Sequence, residues 1–328
     1  MLMNTKQLCA LTFLSACVSC IFMQSAHSAD YPNKPIRIVT PYPPGGGVDN
    51  VARIYAPKLA QALGQQVVID SRPGASGIIG AEAVAKSAPD GYTLLHDATA
   101  HSVNPSLRKL PYETLKDFTP ITLLVVNPNL LLIHPSLPVK NIRDIISLAS
   151  NRPGQITFGS AGIGSAQHMA GELFKYMAKI DMVHVPYKGG GAVYADLIGG
   201  HIQAYFGNMA SSLPHAKGGK LKGIAVTSAK RSASAPEFPT FAESGVPGYE
   251  VYEWNGLFGP ANLPKEIVTR INAEMGKILA GADVKERFFS LGAEAAHSTP
   301  EQHADYVRAE VAKWQKVIVA MRIKATSD

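Results

Sequence analysis

From Tyr31 onward, short apolar runs alternate with segments in which apolar side chains recur at helical spacing. Ile36 to Thr40 is an apolar run that predicts a buried strand, and Val48 to Leu63 carries apolar residues at the spacing of a helix. The same alternation continues along most of the chain. Further strands are predicted at Gln66–Asp70, Tyr92–His96, Gln155–Phe158, Met182–Tyr187, Ile202–Phe206 and Leu221–Thr227. Such alternation is typical of an α/β chain with parallel sheets.

Three consecutive glycines, Gly45 to Gly47, lie between the first predicted strand and the first predicted helix. Backbone N–H groups and the positive end of the helix dipole converge at such a junction, and together they form an anion site without a cationic side chain. One loop of this kind is also explained as a tight turn. A second glycine-rich loop, Gly159 to Ser165, occupies the equivalent place before a predicted helix at Gln167–Lys179. This repetition favours a binding role for both loops.

Two apolar segments interrupt the alternation and suggest connections between domains. Ile121 to His134 is too long for one ordinary strand and contains Asn127-Pro128-Asn129, so we interpret it as a strand, a crossover and a second strand. Trp254 to Pro260 is interpreted as the return crossover. The predicted lobes are therefore residues 30–126 plus 255–328 and residues 127–254. In open α/β sheets ligands bind beyond the carboxyl ends of the strands, which places one glycine-rich loop on each side of a cleft.

The tail is predicted to hold two helices, at Pro264–Leu279 and Thr299–Met321. The second helix carries an apolar stripe that we expect to pack on the first lobe. Its members are Tyr306, Val307, Val311, Trp314 and Ile318.

The amino-terminal residues 1–28 have the pattern of a signal peptide. Lys6 precedes an apolar stretch from Leu8 to Met23, and cleavage after Ser28 would follow small residues at positions 26 and 28. An alternative is a lipoprotein anchored at Cys17, because Leu14-Ser15-Ala16-Cys17 resembles a lipoprotein cleavage box. All three cysteines lie in this leader, so conventional cleavage leaves no thiol for disulfides, catalysis or metal binding. We expect an exported bacterial protein.

Composition and motifs argue against several classes of function. Of the 328 residues, 46% are hydrophobic, and the 31 basic residues are scattered, so the net charge of +6 gives no basic patch for nucleic acid. The phosphate-binding loop, the dinucleotide fingerprint and the zinc-protease histidine pair are missing from the sequence, and we expect no cofactor and no metal. A serine hydrolase built on Ser160 and His168 remains an alternative, although no acid is placed to orient the histidine. We therefore predict a protein that is not an enzyme.

Six motifs occur together in a characteristic order. They are Tyr42-Pro43-Pro44-Gly45-Gly46-Gly47-Val48-Asp49, Arg72-Pro73-Gly74-Ala75-Ser76-Gly77, Asp90-Gly91-Tyr92-Thr93-Leu94-Leu95, Phe158-Gly159-Ser160-Ala161-Gly162-Ile163-Gly164-Ser165 with His168, Val185-Pro186-Tyr187-Lys188-Gly189, and Trp254-Asn255-Gly256-Leu257-Phe258. With them, residues 31–318 resemble the Bug receptors, the TctC-like extracytoplasmic solute-binding proteins of tripartite tricarboxylate transporters. The resemblance implies a two-lobed periplasmic-binding-protein clamshell (a Venus flytrap) with two crossover strands.

The resemblance also implies a ligand, partners and a location. A small organic carboxylate, either a di- or tricarboxylate or an aromatic acid, would be held between the lobes and delivered to the membrane permease subunits of the transporter. The protein would be a periplasmic monomer. An alternative partner is a membrane sensor kinase, which would respond to the ligand-loaded clamshell.

Site residues are carried over by position from the same resemblance. The first jaw comprises Pro44, Gly45, Gly46, Gly47 and Val48, with Ala98, Thr99, Ala100 and His101 beside it. The second jaw comprises Ser160, Ala161, Gly162, Gly164 and Ser165, and the cleft edge comprises Tyr187, Lys188 and Gly189. The alternatives are structural: Asp49 and Ser165 as helix caps, His101 and His168 as packed side chains, and Lys188 as a solvated cation.

The sequence departs from the family pattern at three positions. Val48 and Ala100 replace residues that often carry a hydroxyl, and Gly207 stands where an aspartate is frequent. Because that aspartate can meet a ligand ammonium, its absence at Gly207 suggests a carboxylate ligand without an amino group.

Overall fold

The computed structural model describes residues 31–187 and 190–325. The predicted leader, its cleavage site and Cys17 lie outside these residues, as do Lys188 and Gly189 of the predicted cleft edge. None of the helices in the described ranges combines the length and the hydrophobicity that a membrane span requires.

The first sheet gathers strands from both ends of the chain. Its parallel core is β1 (Ile36–Thr40) between β2 (Val67–Ser71) and β3 (Thr93–Ala98). The helices that follow these three strands are α1 (Gly47–Leu63), α2 (Ile78–Ala85) and α3 (Ala100–Leu107), with a short 3₁₀ turn at Ala75–Gly77. Apolar residues of β1 and α1, among them Ile38, Tyr55 and Leu59, are fully buried in one core cluster.

The second sheet also has a core of parallel strands. β5 (Thr157–Ser160) pairs in parallel with β6 (Val183–Pro186) and β7 (Ala204–Asn208), and β8 (Lys222–Val226) completes the sheet. Its helices are α4 (Ile142–Asn151), α5 (Ala166–Ala178), α6 (Gly190–Ile198) and α7 (Met209–Lys217). A helix follows the carboxyl end of each of β5 and β7. This is the edge at which open α/β sheets bind ligands.

One long strand, β4 (Phe118–Ile133), belongs to both sheets. Its first part pairs with β9 (Tyr252–Pro260) as far as Pro128, and Asn129 to Ile133 pair with β7. The sequence predicted two strands separated by a crossover, whereas the structure has a single strand. Pro128 is tolerated because it lies where the pairing partner changes, so its missing N–H interrupts no continuous ladder.

The tail returns to the first sheet and then crosses to the second. After β9 come α8 (Lys265–Ala280), α9 (Ala282–Ser290), β10 (Glu294–Ala295) and the final helix α10 (Pro300–Met321). Thr299 and Gln302 form a capping box at the start of α10. Tyr306, Val307 and Val311 share a core cluster with Leu95 and Phe258 of the first lobe, as predicted for the stripe.

The second half of α10 differs from that prediction. Trp314, Val317 and Ile318 belong to the core cluster of the second lobe, with Phe174 and Phe206. The helix is long enough to continue past the first lobe, and its apolar face is buried on both. The fold is thus a two-lobed α/β clamshell joined by β4, β9 and α10. We propose lobe boundaries near residues 126 and 254, where the sheet partners change, with the last turns of α10 packed on the second lobe.

Candidate functional site

A cavity of about 460 Å³ opens between the two lobes. The first lobe lines it with Gly45, Gly46, Gly47, Asn50, Val51, Leu291 and Ala293, and the second with Gln167, Gly190, Gly191, Tyr194, Tyr205, Asn208 and Ser211. The two strands that join the lobes contribute Asn127 and Glu253. Residues far apart in the chain therefore meet at one place, between the glycine-rich loop of the first lobe and the starts of two helices of the second.

Side-chain hydrogen bonds hold the glycine-rich loop before α1 in place. Tyr42 Oη donates to Asp97 Oδ1 over 2.9 Å. The Gly45 N–H donates to Asp49 Oδ2 over 2.9 Å, and Arg53 Nε donates to the same oxygen over 2.7 Å. These bonds, chiefly the one from Arg53, hold the pKa of the Asp49 carboxyl below its ordinary value, although burial opposes them. Asp49 thus ties the loop residue Gly45 to the first turn of α1 without capping the helix, and the Gly45 N–H is already occupied.

Two helix starts face the cavity from opposite lobes. α1 begins at Gly47 and has no side-chain cap at Gly46, so the amides of its first turn lack intrahelical partners. α6 begins at Gly190, and Gly190 and Gly191 line the opposite wall. Unpaired N–H groups and two positive dipole ends at one cavity favour a small anion.

The charge inside the cavity comes from a single acid. Among the described residues of its wall, Glu253 is the one aspartate, glutamate, lysine, arginine or histidine. Glu253 Oε2 accepts from Gln167 Nε2 over 3.1 Å, with Asn208 Nδ2 at 3.5 Å. Burial raises the pKa of the Glu253 carboxyl, and these two amide donors oppose that rise only in part. The carboxylate of Glu253 is therefore stabilised by two amide donors but by no cationic side chain of the described wall.

Only some of the residues predicted for the first jaw lie in the cavity wall. Gly45, Gly46 and Gly47 line the cavity, whereas Pro44 is exposed in the same loop and does not line it. Val48 is buried, with 6% of its surface exposed, and lies in the first turn of α1. Their role as ligand contacts stays a prediction.

The predicted neighbours of the first jaw serve the interior of the first lobe. Thr99 Oγ1 accepts from the Trp254 N–H over 3.1 Å and thereby joins the end of β3 to β9. His101 is 1% exposed, its Nδ1 lies 3.1 Å from Asp97 Oδ2, and its ring packs on Phe258. Ala98 and Ala100 flank these residues, and none of the four lines the cavity.

The second-jaw loop is likewise tied into its own lobe. Ser160 is fully buried, and its Oγ lies 2.6 Å from His184 Nε2 and 3.1 Å from the backbone of Gly162. The rings of His184 and His168 are stacked with centroids 3.9 Å apart. The Gly164 N–H donates to His168 Nδ1 over 3.1 Å. Burial is the main cause that lowers the pKa of both imidazoles, to about 4 for His184.

The end of that loop forms a helix cap and an interlobe contact. Ser165 caps α5 by accepting the His168 N–H, as its structural alternative anticipated. A Cβ placed on Gly164 would lie 3.1 Å from Leu107 of α3, so this glycine permits close approach of the first lobe. Ala161 and Gly162 are partly exposed, and none of the five predicted residues of this loop lines the cavity.

At the cleft edge, Tyr187 Oη donates to Asp196 Oδ2 over 2.6 Å, which holds the tyrosine against α6. Lys188 and Gly189 are outside the described residues.

Gly207 is covered by neighbouring side chains. A Cβ placed on it would lie 2.5 Å from Ser212 Oγ and 2.6 Å from Tyr194 Oη, and these two hydroxyls are 2.9 Å apart. The tyrosine hydroxyl thus fills the place of a side chain at position 207. Gly207 does not line the cavity, whereas the acid Glu253 does.

Sequence reasoning missed several residues of the cavity wall. The signal for Gly190 and Gly191 was present, because residues 189–191 are a second run of three glycines. Asn127, Asn208 and Glu253 are polar residues in otherwise apolar strands, which is a weaker signal. Leu291 gives no local signal, because only the tertiary fold brings it to the cavity.

Comparison with known families identifies the architecture. Residues 51–323 match the model of the tripartite tricarboxylate transporter family receptor. The chain belongs to this receptor family. Its curated relatives include a UPF0065 protein of Pseudomonas sp. strain P51, 37% identical over 90% of this chain and 88% of the relative, and BugT of Bordetella pertussis, 35% identical over 89% and 90%.

Solved structures of the family agree with the fold. Rpa4515 of R. palustris, determined with adipate, is 36% identical, with a TM-score of 0.80 over 90% of this chain and 99% of that protein. MatC of Rhodopseudomonas palustris, with bound malate, is 32% identical, with a TM-score of 0.74 over 88% and 100%. BugD, a periplasmic binding protein, is 33% identical, with a TM-score of 0.77 over 90% and 100%. Receptors of this family are solute-binding proteins and not enzymes, so the buried Ser160–His184 pair belongs to a binding scaffold.

Proposed function

We propose that this receptor captures a small organic carboxylate between its two lobes outside the cytoplasm. The observation that carries the proposal is the cavity itself, where the glycine-rich start of α1 faces the start of α6. Backbone amides from both lobes would hold one carboxylate, so the ligand would favour the closed form over the open form. The relatives that hold adipate and malate support a carboxylate ligand.

The family model supports a transport role. A receptor of a tripartite tricarboxylate transporter would present its loaded, closed form to the membrane permease subunits of that transporter. We propose export through the signal peptide at residues 1–28, with the mature chain acting as a periplasmic monomer. The relation to the periplasmic protein BugD supports this location.

Calorimetry on the mature chain tests the ligand proposal. The panel contains aliphatic mono- and dicarboxylates, hydroxy acids, aromatic acids and amino acids, with amines and neutral sugars as controls. We expect at least one carboxylate to bind with a 1:1 stoichiometry and a dissociation constant of roughly micromolar, about −8 kcal/mol. Binding of a sugar or an amine with no carboxylate binding would contradict the proposal.

A pull-down tests the partner. The receptor is mixed with detergent-solubilised permease subunits encoded beside its gene, with and without saturating carboxylate. We expect capture that increases with ligand. Equal capture by an unrelated periplasmic binding protein would contradict this part of the proposal.

A further inference from the structure

We propose that Glu253 selects ligands that carry an ammonium group next to their carboxylate, so that the receptor prefers α-amino acids to hydroxy or unsubstituted acids of the same skeleton. This inference rests on the proposed function, because it assumes that a carboxylate binds in the cavity. It replaces the expectation of a ligand without an amino group, which depended on Gly207 alone.

The position of the two carboxylate oxygens is the first support. Oε2 of Glu253 is held by Gln167 and Asn208 of the second lobe. Oε1 has no hydrogen-bond partner in the described parts of the chain, and it lies 3.9 Å from where a Cβ of Gly47 would be. The free oxygen therefore borders the start of α1, where the ligand carboxylate is proposed to sit. An ammonium on the adjacent carbon of the ligand would reach Oε1.

Charge balance is the second support. The described wall of the cavity offers no lysine, arginine or histidine to neutralise Glu253. A carboxylate ligand without a cation would bring a second negative charge close to the carboxylate of Glu253, and neighbouring like charges repel each other. An α-amino acid avoids this repulsion because its ammonium lies between its own carboxylate and that of Glu253.

A second acceptor without a partner, on Asn127, also favours a ligand that carries a hydrogen-bond donor. Asn127 lines the cavity and is 7% exposed, and its side-chain oxygen Oδ1 has no hydrogen-bond partner among the described residues. Buried polar atoms without partners are costly, so a ligand donor that meets such an atom gains affinity. The cavity thus presents two acceptors, on β4 and β9, next to the amides that attract a carboxylate.

The substitution Glu253→Gln tests the role of the charge. Its side-chain oxygen can keep the bonds from Gln167 and Asn208, so its NH₂ group turns towards the cavity. The variant would then repel an ammonium and donate to a carboxylate. Glu250→Gln is the matched control, because it removes the same charge three residues earlier at an exposed position. Circular dichroism and melting curves verify that both variants fold.

Three ligand series differ only at the carbon next to the carboxylate. They are aspartate, malate and succinate; alanine, lactate and propanoate; and phenylalanine, phenyllactate and phenylpropanoate. In the wild type we expect the amino acid of the best-bound series to be at least about tenfold tighter than its unsubstituted acid, with the hydroxy acid between them. In Glu253→Gln we expect this order to reverse, and in Glu250→Gln we expect no change.

The outcomes separate this inference from the proposed function. If carboxylates bind but the α-substituent has no effect, or if Glu253→Gln leaves the order unchanged, the inference is overturned and the proposed function stands. The same holds if the wild type prefers succinate to aspartate and the variant retains that preference, since a protonated Glu253 would then act as a donor. If no carboxylate binds to the wild type, both are overturned.

Discussion

Tyr42 Oη donates a 2.9 Å hydrogen bond to Asp97 Oδ1, and this bond ties the glycine-rich loop before α1 to the end of β3. Asp97 is buried and Tyr42 is partly buried, and burial raises the pKa of the Tyr42 hydroxyl well above its ordinary value, so it remains a donor. Asp97 has two further partners, the Ala98 N–H and His101. The loop that borders the cavity is therefore positioned by a buried acid that itself lies outside the cavity.

The substitution Tyr42→Phe removes this donor. We expect a loss of about 1–3 kcal/mol in the free energy of unfolding, because a hydrogen bond to a buried charged group is broken. We also expect weaker carboxylate binding, since the loop is less well held before the ligand arrives. Urea denaturation and calorimetry measure the two effects. Tyr92→Phe is the control, because its hydroxyl bonds to Asn33 near the surface. Equal losses in both variants would contradict the special role of Tyr42.

Gly45 and Gly64 form a matched pair for testing the loop. Both have positive φ angles, 79° and 67°, and a Cβ on either would have no heavy atom within 4 Å. Substitution by alanine should therefore strain both backbones equally, by about 1–2 kcal/mol. Gly45 lines the cavity, whereas Gly64 ends α1 at its far end. We expect Gly45→Ala to weaken ligand binding and Gly64→Ala to leave it unchanged. Calorimetry that shows the same affinity for both variants would remove Gly45 from the site.

The stacked pair His168 and His184 predicts acid sensitivity. Burial lowers the pKa of His184 to about 4 in the folded protein, and its unfolded value is about 6.5. Between these values the unfolded chain binds more protons than the folded one, so stability falls as the pH decreases. For His184 we expect a loss of about 1–2 kcal/mol between pH 7 and pH 5.

The substitution His184→Gln should flatten this part of the pH profile of urea denaturation. Its control is His201→Gln, at an exposed position. The comparison uses the slope of stability against pH and not its absolute value, because removing His184 also alters its bond to Ser160. Parallel profiles for the wild type and His184→Gln would show that the buried imidazole does not govern the slope.

Trp314 tests the contact of α10 with the second lobe. It is fully buried in the core cluster of that lobe, and its Nε1 donates to Glu310 Oε2 over 2.9 Å. We expect Trp314→Ala to lower the free energy of unfolding by about 3–5 kcal/mol. Val319→Ala, on the same helix at a position that is 69% exposed, should change it by less than about 0.5 kcal/mol. If chemical denaturation shows that Trp314→Ala changes the free energy of unfolding as little as Val319→Ala does, α10 is not part of the core.

Regular elements with strong local signals were predictable from the sequence. β1 was predicted with its observed bounds, and α1, α5 and α10 each lie within a residue or two of prediction, because their apolar periodicity and glycine or serine starts are local features. α3 was missed because Pro105 falls within eight residues of helix, and α6 because its glycine-rich start weakens the helical pattern.

The cavity was predictable only where its residues form a local motif. Gly45 to Gly47 could be found because three glycines at a strand–helix junction have a physical meaning by themselves. Glu253 could not, since its contact with Gln167 spans 86 positions and depends on how β9 is paired. The serines of residues 160–165 have the right chemistry, but the structure uses it within the lobe, for the cap of α5 and for His184.

The final helix limits how far the clamshell can open. If β4 and β9 were the only links between the lobes, bending two strands would suffice to swing them apart. α10 is a third link, anchored by Val307 in one core and by Trp314 in the other. A wide opening must therefore bend this rod or pull one of its ends out of the interior. Because α10 is packed into both cores, we expect the two lobes to close on a ligand by only a small rotation about this helix.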